Sequence, residues 1–485
     1  MPKTYDALVI GLGVIGSSIL RELSKYHLDI IGLEKESDVV LGNSGKNSGV
    51  IHAGFNVPYG SLKAKFNIEG HRLFPSLCKE LNIPMKIIGK LVVARNNNEK
   101  SHLKYLLNNG IKNGVKGLKI INKFELKKKE PNINGGSALY VPSAGIVSPY
   151  SLTIALAENA KQNGADIMLE HEVVKIKQKS NYYEVTAKDK KFNTKIIINC
   201  AGLNSDKIAK LANINKYQLF PCIGEYLILD KSLKHLINYL IYPVPGKYSA
   251  GLGIHLTPTI DGNILIGPSD EYIFDRENYA TSKNTLDLLF SEAKKWLPHI
   301  SSNDIINTYA GIRTKTKEAK EKGFGDYIIS EDKNNFINLI GIESPGLTSA
   351  PSIAKYISKL VGLKMNLNNK NSFKLPGAKP KRFETASLKE KTALIKANKK
   401  HSRIICRCEK ITYEEVITAV KNTLGVKTIN GIKYRTRAGM GRCHGGYCTS
   451  KLIEILKNEF SIDPLNITLK GKNSEMIKDY VKKNT

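Results

Sequence analysis

From Tyr5 to about Leu363, short apolar runs alternate with stretches whose apolar residues return every three or four positions, so strands and amphipathic helices are expected to take turns. The first unit is the clearest. Tyr5-Asp6-Ala7-Leu8-Val9-Ile10 reads as a strand, a glycine-rich turn opens a helix at Gly11–Gly16, and a second strand ends at Glu34. Two other regions, about 80–150 and 215–310, hold alternating strands that fit no single β-α-β repeat and predict a second sheet. After Met365 the chain turns Asn-rich and then Pro/Lys-rich, including Leu375-Pro-Gly-Ala-Lys-Pro-Lys-Arg382, which reads as a linker. A new compact unit begins near Ile404, with helices predicted over 412–422, 427–435 and 447–458 and four cysteines between them. The Lys-rich end forms one more short helix or frays.

The expected architecture is therefore α/β. A Rossmann-like domain, mainly 1–80, 150–215 and 310–365, interleaves with a mixed-sheet domain, mainly 81–149 and 216–309, to form a body over 1–365. A linker (366–403), a small helical four-cysteine domain (404–460) and a tail (461–485) follow.

Composition changes this picture little. The 485 residues are 41% hydrophobic and 24% charged with 39 glycines, a globular profile without repeats. No window approaches 18 consecutive apolar residues, and Met1 runs almost directly into the first strand, so neither a membrane span nor a cleavable signal is expected and the protein is placed in the cytoplasm. The net charge of +30 raises nucleic acid, an anionic membrane surface or an acidic substrate as partners. The lysines are scattered and no RNA-binding or helix-turn-helix signature accompanies them, which argues against nucleic acid and for a compositional bias. A basic surface that helps an anionic substrate or a membrane-associated partner stays open.

The chemistry begins at Gly11-Leu12-Gly13-Val14-Ile15-Gly16. Its glycines permit a tight turn and close approach of backbone to a pyrophosphate at the positive helix end, and Glu34, 18 residues beyond Gly16, can accept from ribose hydroxyls. That fingerprint does not separate NAD from FAD. Later segments help: Gly42-Asn43-Ser44-Gly45-Lys46-Asn47-Ser48-Gly49-Val50-Ile51-His52-Ala53-Gly54 is small and polar, able to wrap a long dinucleotide, and Ile196–Gly202 is a strand ending in small residues. Gly341-Ile342-Glu343-Ser344-Pro345-Gly346-Leu347-Thr348 opens a helix whose amides can face a flavin's N1/O2 edge and favour the negative charge that grows on reduction.

In this order the segments resemble FAD-dependent oxidoreductases of the D-amino-acid oxidase fold class, especially the branch containing L-2-hydroxyglutarate dehydrogenase and anaerobic glycerol-3-phosphate dehydrogenase. Asn47–Gly54, Gly224-Glu225-Tyr226, Gly253-Ile254-His255-Leu256-Thr257-Pro258 and Ala310-Gly311-Ile312-Arg313 carry the resemblance over nearly the whole body. The cofactor contacts expected on these grounds are Gly11, Gly13, Val14, Ile15, Gly16, Glu34, Asn47, Ser48, Gly49, Val173, Gly202, Gly341, Gly346, Leu347 and Thr348. Oxidising a secondary alcohol needs a base for the hydroxyl proton, and His52 and His255 are both candidates. The resemblance makes Arg313 the anchor for a substrate carboxylate or phosphate, with Tyr226 and Lys315 as weaker candidates.

Three of the seven cysteines, Cys78, Cys200 and Cys222, lie in apolar or strand-like contexts and are expected in the core. Cys406-Arg407-Cys408 and Cys443-His444-Gly445-Gly446-Tyr447-Cys448 form a C-x-C and a C-x4-C pair, a set that suits iron–sulfur or zinc, with the C-x-C half atypical for zinc. Ile405–Thr412 and Arg435–Cys448 resemble the bacterioferritin-associated-ferredoxin type of 2Fe-2S domain, which is fused behind this kind of flavoprotein body in anaerobic glycerol-3-phosphate dehydrogenase. The fusion implies a dehydrogenase that oxidises sn-glycerol 3-phosphate and feeds a partner flavoprotein or a membrane-associated iron–sulfur subunit, and finally a quinone. Oxidation of L-2-hydroxyglutarate, dehydrogenation of a proline-type amino acid, and a redox-sensing binding protein are the alternatives.

Overall fold

The computed structural model describes residues 3–245, 253–321, 325–377 and 381–479; residues 378–380 of the expected linker and 480–485 of the expected tail lie outside this set. Its first sheet is built on β1 (Thr4–Ile10), flanked in parallel by β2 (Ile30–Leu33) and by Lys190–Asn199, with α1 (Val14–Leu23) crossing between β1 and β2. Phe336–Ile340 adds a further parallel strand beside the end of Lys190–Asn199, and an antiparallel extension runs through Tyr183–Ala187 to Val173–Gln178. Helices cover the sheet, so the parallel strands read as unbroken apolar runs such as Ala-Leu-Val-Ile and Ile-Ile-Gly-Leu. α1 packs against Pro149–Gln162 and Gly346–Gly362 around Ile19, Leu20, Ile154 and Ile353.

The second sheet has nine strands, in the order Glu271–Tyr272, Phe220–Leu229, Ile264–Gly267, His255–Pro258, Leu240–Pro243, Lys90–Ala94, Ser137–Val141 and Lys119–Ile121, with Ile305–Lys315 also paired to Phe220–Leu229. The antiparallel register of that last pair sets Cys222 opposite Arg313, Gly224 opposite Gly311 and Tyr226 opposite Tyr309. Because side chains alternate along a strand, these three pairs share one face.

Beyond the body the structure departs from the expected linker and tail. Residues 388–397 form a helix, opened by a capping box between Ser387 and Glu390, and the chain just before it is tied down where Asn159 donates to the Lys374 carbonyl at 2.9 Å. The Pro/Lys-rich composition pointed to a bare linker, yet Ser-Leu-Lys-Glu followed by good helix formers is a start signal of its own. In the C-terminal unit a short hairpin, Ile404–Cys406 with Ile411–Thr412, precedes helices Tyr413–Val420, Ile429–Thr436 and Thr449–Phe460. Residues 461–476 are neither a free tail nor a regular helix: Pro464 and Ile467 are buried, and a bridge joins Thr468 to Glu475. Cys78, Cys200 and Cys222 are buried. Among the described residues no helix is long and apolar enough to cross a membrane.

Candidate active site and cluster site

A cleft of about 1070 Å³ runs from the ends of β1 and β2 to the second sheet. At its first end Gly11 has φ of +88°, a conformation that favours glycine, and a Cβ there would stand 2.7 Å from the Cys200 carbonyl oxygen. Glu34 accepts from the Leu12 amide at 2.8 Å and the Glu36 amide at 3.1 Å, and burial raises its pKa. With two oxygens it keeps acceptor capacity for hydroxyls in the cleft. Gly13, Val14, Ile15, Val173 and Gly202 line the same end; Asn47, Ser48, Gly346 and Leu347 line the stretch beyond it. The Ser44 hydroxyl accepts from the Val14 amide at 2.8 Å, fastening the small polar loop to the start of α1.

Four expected contacts lie behind this wall. Gly16 lets α1 press on Gly11, where a side chain would run into the Gly11 carbonyl. Gly49 turns the chain at φ +68° beside the Val147 carbonyl, and Gly341, at φ +69°, leaves room for the methyl of Thr316. Thr348 is fully buried and accepts from the His52 amide at 3.0 Å, so it holds a cleft residue without being one.

The far end brings together His52, Tyr226, Tyr242, His255, Arg313 and Lys315. His255 is 5% exposed, stacks on Tyr242 at 3.9 Å between ring centres, and has its Nδ1 2.9 Å from the Gly253 carbonyl. A carbonyl only accepts, so Nδ1 carries the proton and Nε2, buried and without a hydrogen-bond partner, carries a lone pair. Burial above all holds His255 down to about 3. His52, whose Nε2 lies 3.4 Å from the Ser344 hydroxyl, is likewise kept neutral by burial and then by the charge of Lys90.

Arg313 donates to the Ser269 carbonyl at 2.9 Å and to Asp270 at 3.3 Å, and Gly224, two residues along the neighbouring strand from Cys222, leaves the space its guanidinium fills. The side chain of Asn43 bonds both the amide and the carbonyl of Ile312, fixing the strand on which Arg313 sits. Lys315 pairs with Glu343 at 3.5 Å and Lys63 with the same carboxylate at 2.8 Å.

Sequence reasoning missed several of these groups. Lys90 is fully buried behind the histidines, its ammonium 3.7 Å from the Tyr242 ring centre and pushed down to about 7 by burial. Its signal was a lone cation inside Lys-Leu-Val-Val-Ala. Asn67 is buried at the cleft with neither amide atom hydrogen-bonded, an anomaly that a bound ligand would resolve.

The four clustered cysteines converge. Cys408 and Cys443 are exposed with sulfurs 3.6 Å apart, while Cys406 and Cys448 are buried. The Cys448 thiol donating to Cys406, together with the Gly439 and Glu409 amides, draws Cys406 down to about 6. Cys443 is lowered first by the Tyr447 amide and also by that of Gly445. Backbone donors around ionisable sulfurs are what a thiolate-ligated cluster needs. Among the described residues no three His, Cys, Asp or Glu side chains are arranged around a single ion. Cys448 caps the helix Thr449–Phe460.

A glycine cradle for a dinucleotide opens directly onto a pocket with a proton acceptor and a cation, and the domain that follows gathers four cysteines; such a molecule removes electrons from a small substrate and hands them on. Its class is flavin-dependent oxidoreductase. The chain belongs to the FAD dependent oxidoreductase family, whose model matches residues 6–360, and carries a BFD-like 2Fe-2S binding domain over residues 404–458. Its cofactors are therefore FAD and a 2Fe-2S cluster, and the zinc alternative drops out. It is 40% identical over 468 residues, 96% of each chain, to a glycerol 3-phosphate dehydrogenase of Caloramator mitchellensis. An L-2-hydroxyglutarate dehydrogenase of Indibacter alkaliphilus is 32% identical over 72% of this chain and 96% of its own. Among solved structures, dithionite-reduced L-alpha-glycerophosphate oxidase of Mycoplasma pneumoniae with FAD bound superposes with a TM-score of 0.73 at 30% identity, covering 78% of this chain and all of that one.

Proposed function

We propose that this chain oxidises sn-glycerol 3-phosphate to dihydroxyacetone phosphate and releases the electrons one at a time through its cluster. The observation that carries the reading is the charge around the histidine pair. Among the described residues Arg313, Lys315 and Lys63 line the pocket, paired with Asp270 and Glu343, and this cationic wall suits an anionic substrate. The similarity to the glycerol 3-phosphate dehydrogenase runs through the cysteine domain, whereas that to the L-2-hydroxyglutarate dehydrogenase covers 72% of the chain.

Held by the glycine turn and the small polar loop, FAD would supply the hydride acceptor for the alcohol carbon. The protein's residues do the rest. An imidazole nitrogen of the His52–His255 pair takes the hydroxyl proton, with Nε2 of His255 aimed by the bond from Nδ1 to Gly253. The planar fork of Arg313 holds the phosphate, and the paired rings of Tyr226 and Tyr309, 4.7 Å apart, help keep water from the pocket. Cys406, Cys408, Cys443 and Cys448 would hold the cluster, and the exposed Cys408 and Cys443 would face a partner flavoprotein or a membrane-associated iron–sulfur subunit at the cytoplasmic face of the membrane.

The test is anaerobic bleaching of the purified yellow protein by glycerol 3-phosphate, L-2-hydroxyglutarate and proline in parallel. Glycerol 3-phosphate is expected to bleach fastest, and His52→Ala or His255→Ala to abolish the bleaching when it removes the base. Preferential bleaching by L-2-hydroxyglutarate or proline moves the substrate to that class; no bleaching by any of the three favours redox sensing.

A further inference from the structure

The four-cysteine domain supplies part of the wall of the flavin cleft. Asn430 and Tyr434, from helix Ile429–Thr436, and Lys470 and Lys472, from the segment expected to be a tail, line it together with the residues of the body.

The contact is built into the core. Leu424 and Val426 are buried in the same apolar cluster as Val39 and Val40 of the dinucleotide domain. Arg435, with 7% of its side chain exposed, pairs at 2.6 Å with Asp38, which is 1% exposed. Two residues on, Arg437 pairs at 2.9 Å with Asp261, in the turn before strand Ile264–Gly267 of the second sheet, and at 2.7 Å with Glu409 beside Cys408. One helix end thus bolts the cluster domain to both lobes of the body. Closer to the cofactor, the Ser37 hydroxyl donates to the Lys470 carbonyl at 2.5 Å, and Gly471, at φ +112°, packs so tightly that a Cβ would stand 2.9 Å from the Cβ of Ser37. Ser37 follows Glu34 by three residues, at the ribose end of the cleft. The side chains of Lys470 and Lys472 are exposed at this mouth, close enough for Lys470 to help depress the ammonium of Lys46, which burial mainly lowers to about 8.

We infer that the cluster domain is the closing wall of the FAD site: Lys470 and Lys472 hold the anionic dinucleotide by charge, and the seat of Gly471 on Ser37 keeps it from leaving. Exposed cations at the mouth act on an anionic ligand over about 10 Å at moderate ionic strength and are screened as salt rises.

The inference rests on the cofactor and not on the substrate, and the flavin content of the parent chain reports on the cofactor separately. Full-length Lys470→Gln/Lys472→Gln and Gly471→Ala are stripped of flavin and titrated with FAD, with iron and sulfide measured in each. The lysine variant is expected to bind FAD about tenfold more weakly at low salt, a difference of roughly 1.4 kcal/mol, and to converge with the parent at high salt. Gly471→Ala is expected to release FAD faster at both salts with its iron and sulfide intact. FAD affinity in the lysine variant within twofold of the parent at low salt overturns the charge role, and unchanged release from Gly471→Ala overturns the wall.

Discussion

Burial acts strongly on Lys90 and His255, two cleft-side groups that become cations when protonated. Burial holds Lys90 at about 7 instead of 10.5 and His255 at about 3 instead of 6.5. In both windows, about 3 to 6.5 and about 7 to 10.5, the unfolded chain binds a proton that the folded chain refuses, so stability rises with pH across each. Calorimetry on the flavin-free protein should show Tm climbing between pH 7 and 10, with Lys90→Met starting higher and rising less. A parent and variant that run parallel would show that Lys90 is not held neutral. For Arg313→Ala, losing one charged fork should raise KM about 10- to 100-fold with the flavin still bound, as read from bleaching at graded substrate. Arg313 and His255 were candidates in the sequence because each lies in a segment that carries the family resemblance, and the structure sets both at the cleft. Lys90 was not one: it pairs in register with Leu240, some 150 residues away, and only the folded sheet shows that Tyr242 lies over its ammonium.

At the scale of elements, the β1–α1 turn was readable because its constraint is local. Gly11→Ala puts a Cβ against the Cys200 carbonyl at a φ that disfavours it, a cost of order 1–3 kcal/mol that should weaken FAD binding about 10- to 100-fold. Fluorescence titration checks this, with circular dichroism confirming that the variant folds. The three helices of the cysteine domain were likewise expected within two residues of where they end or begin. The helix Leu388–Ala397 was not expected, since its neighbours' Pro/Lys composition outweighed its cap. The nine-stranded sheet was legible only as alternating strands. Its order, with Lys90–Ala94 beside Leu240–Pro243, is set by contacts that no local pattern carries.

In the whole molecule the two cofactors divide the labour, and each can be silenced alone. Cys408→Ser should leave substrate bleaching of the flavin intact while lowering the rate of reduction of an external one-electron acceptor at least about tenfold, since a cluster short of one sulfur is lost or mistuned. Stopped-flow absorbance separates the two, and an unimpaired acceptor rate would mean electrons leave from the flavin directly. The docking that sets this geometry was invisible in sequence, because Arg435 and Arg437 find Asp38 and Asp261 across 397 and 176 positions of chain.

That docking also imposes a chronology. The parts of the cysteine domain that line the cleft, from Leu424 to Lys472, leave the ribosome after both lobes of the body have been made. Flavin can therefore meet the nascent body before that last part of its wall is in place.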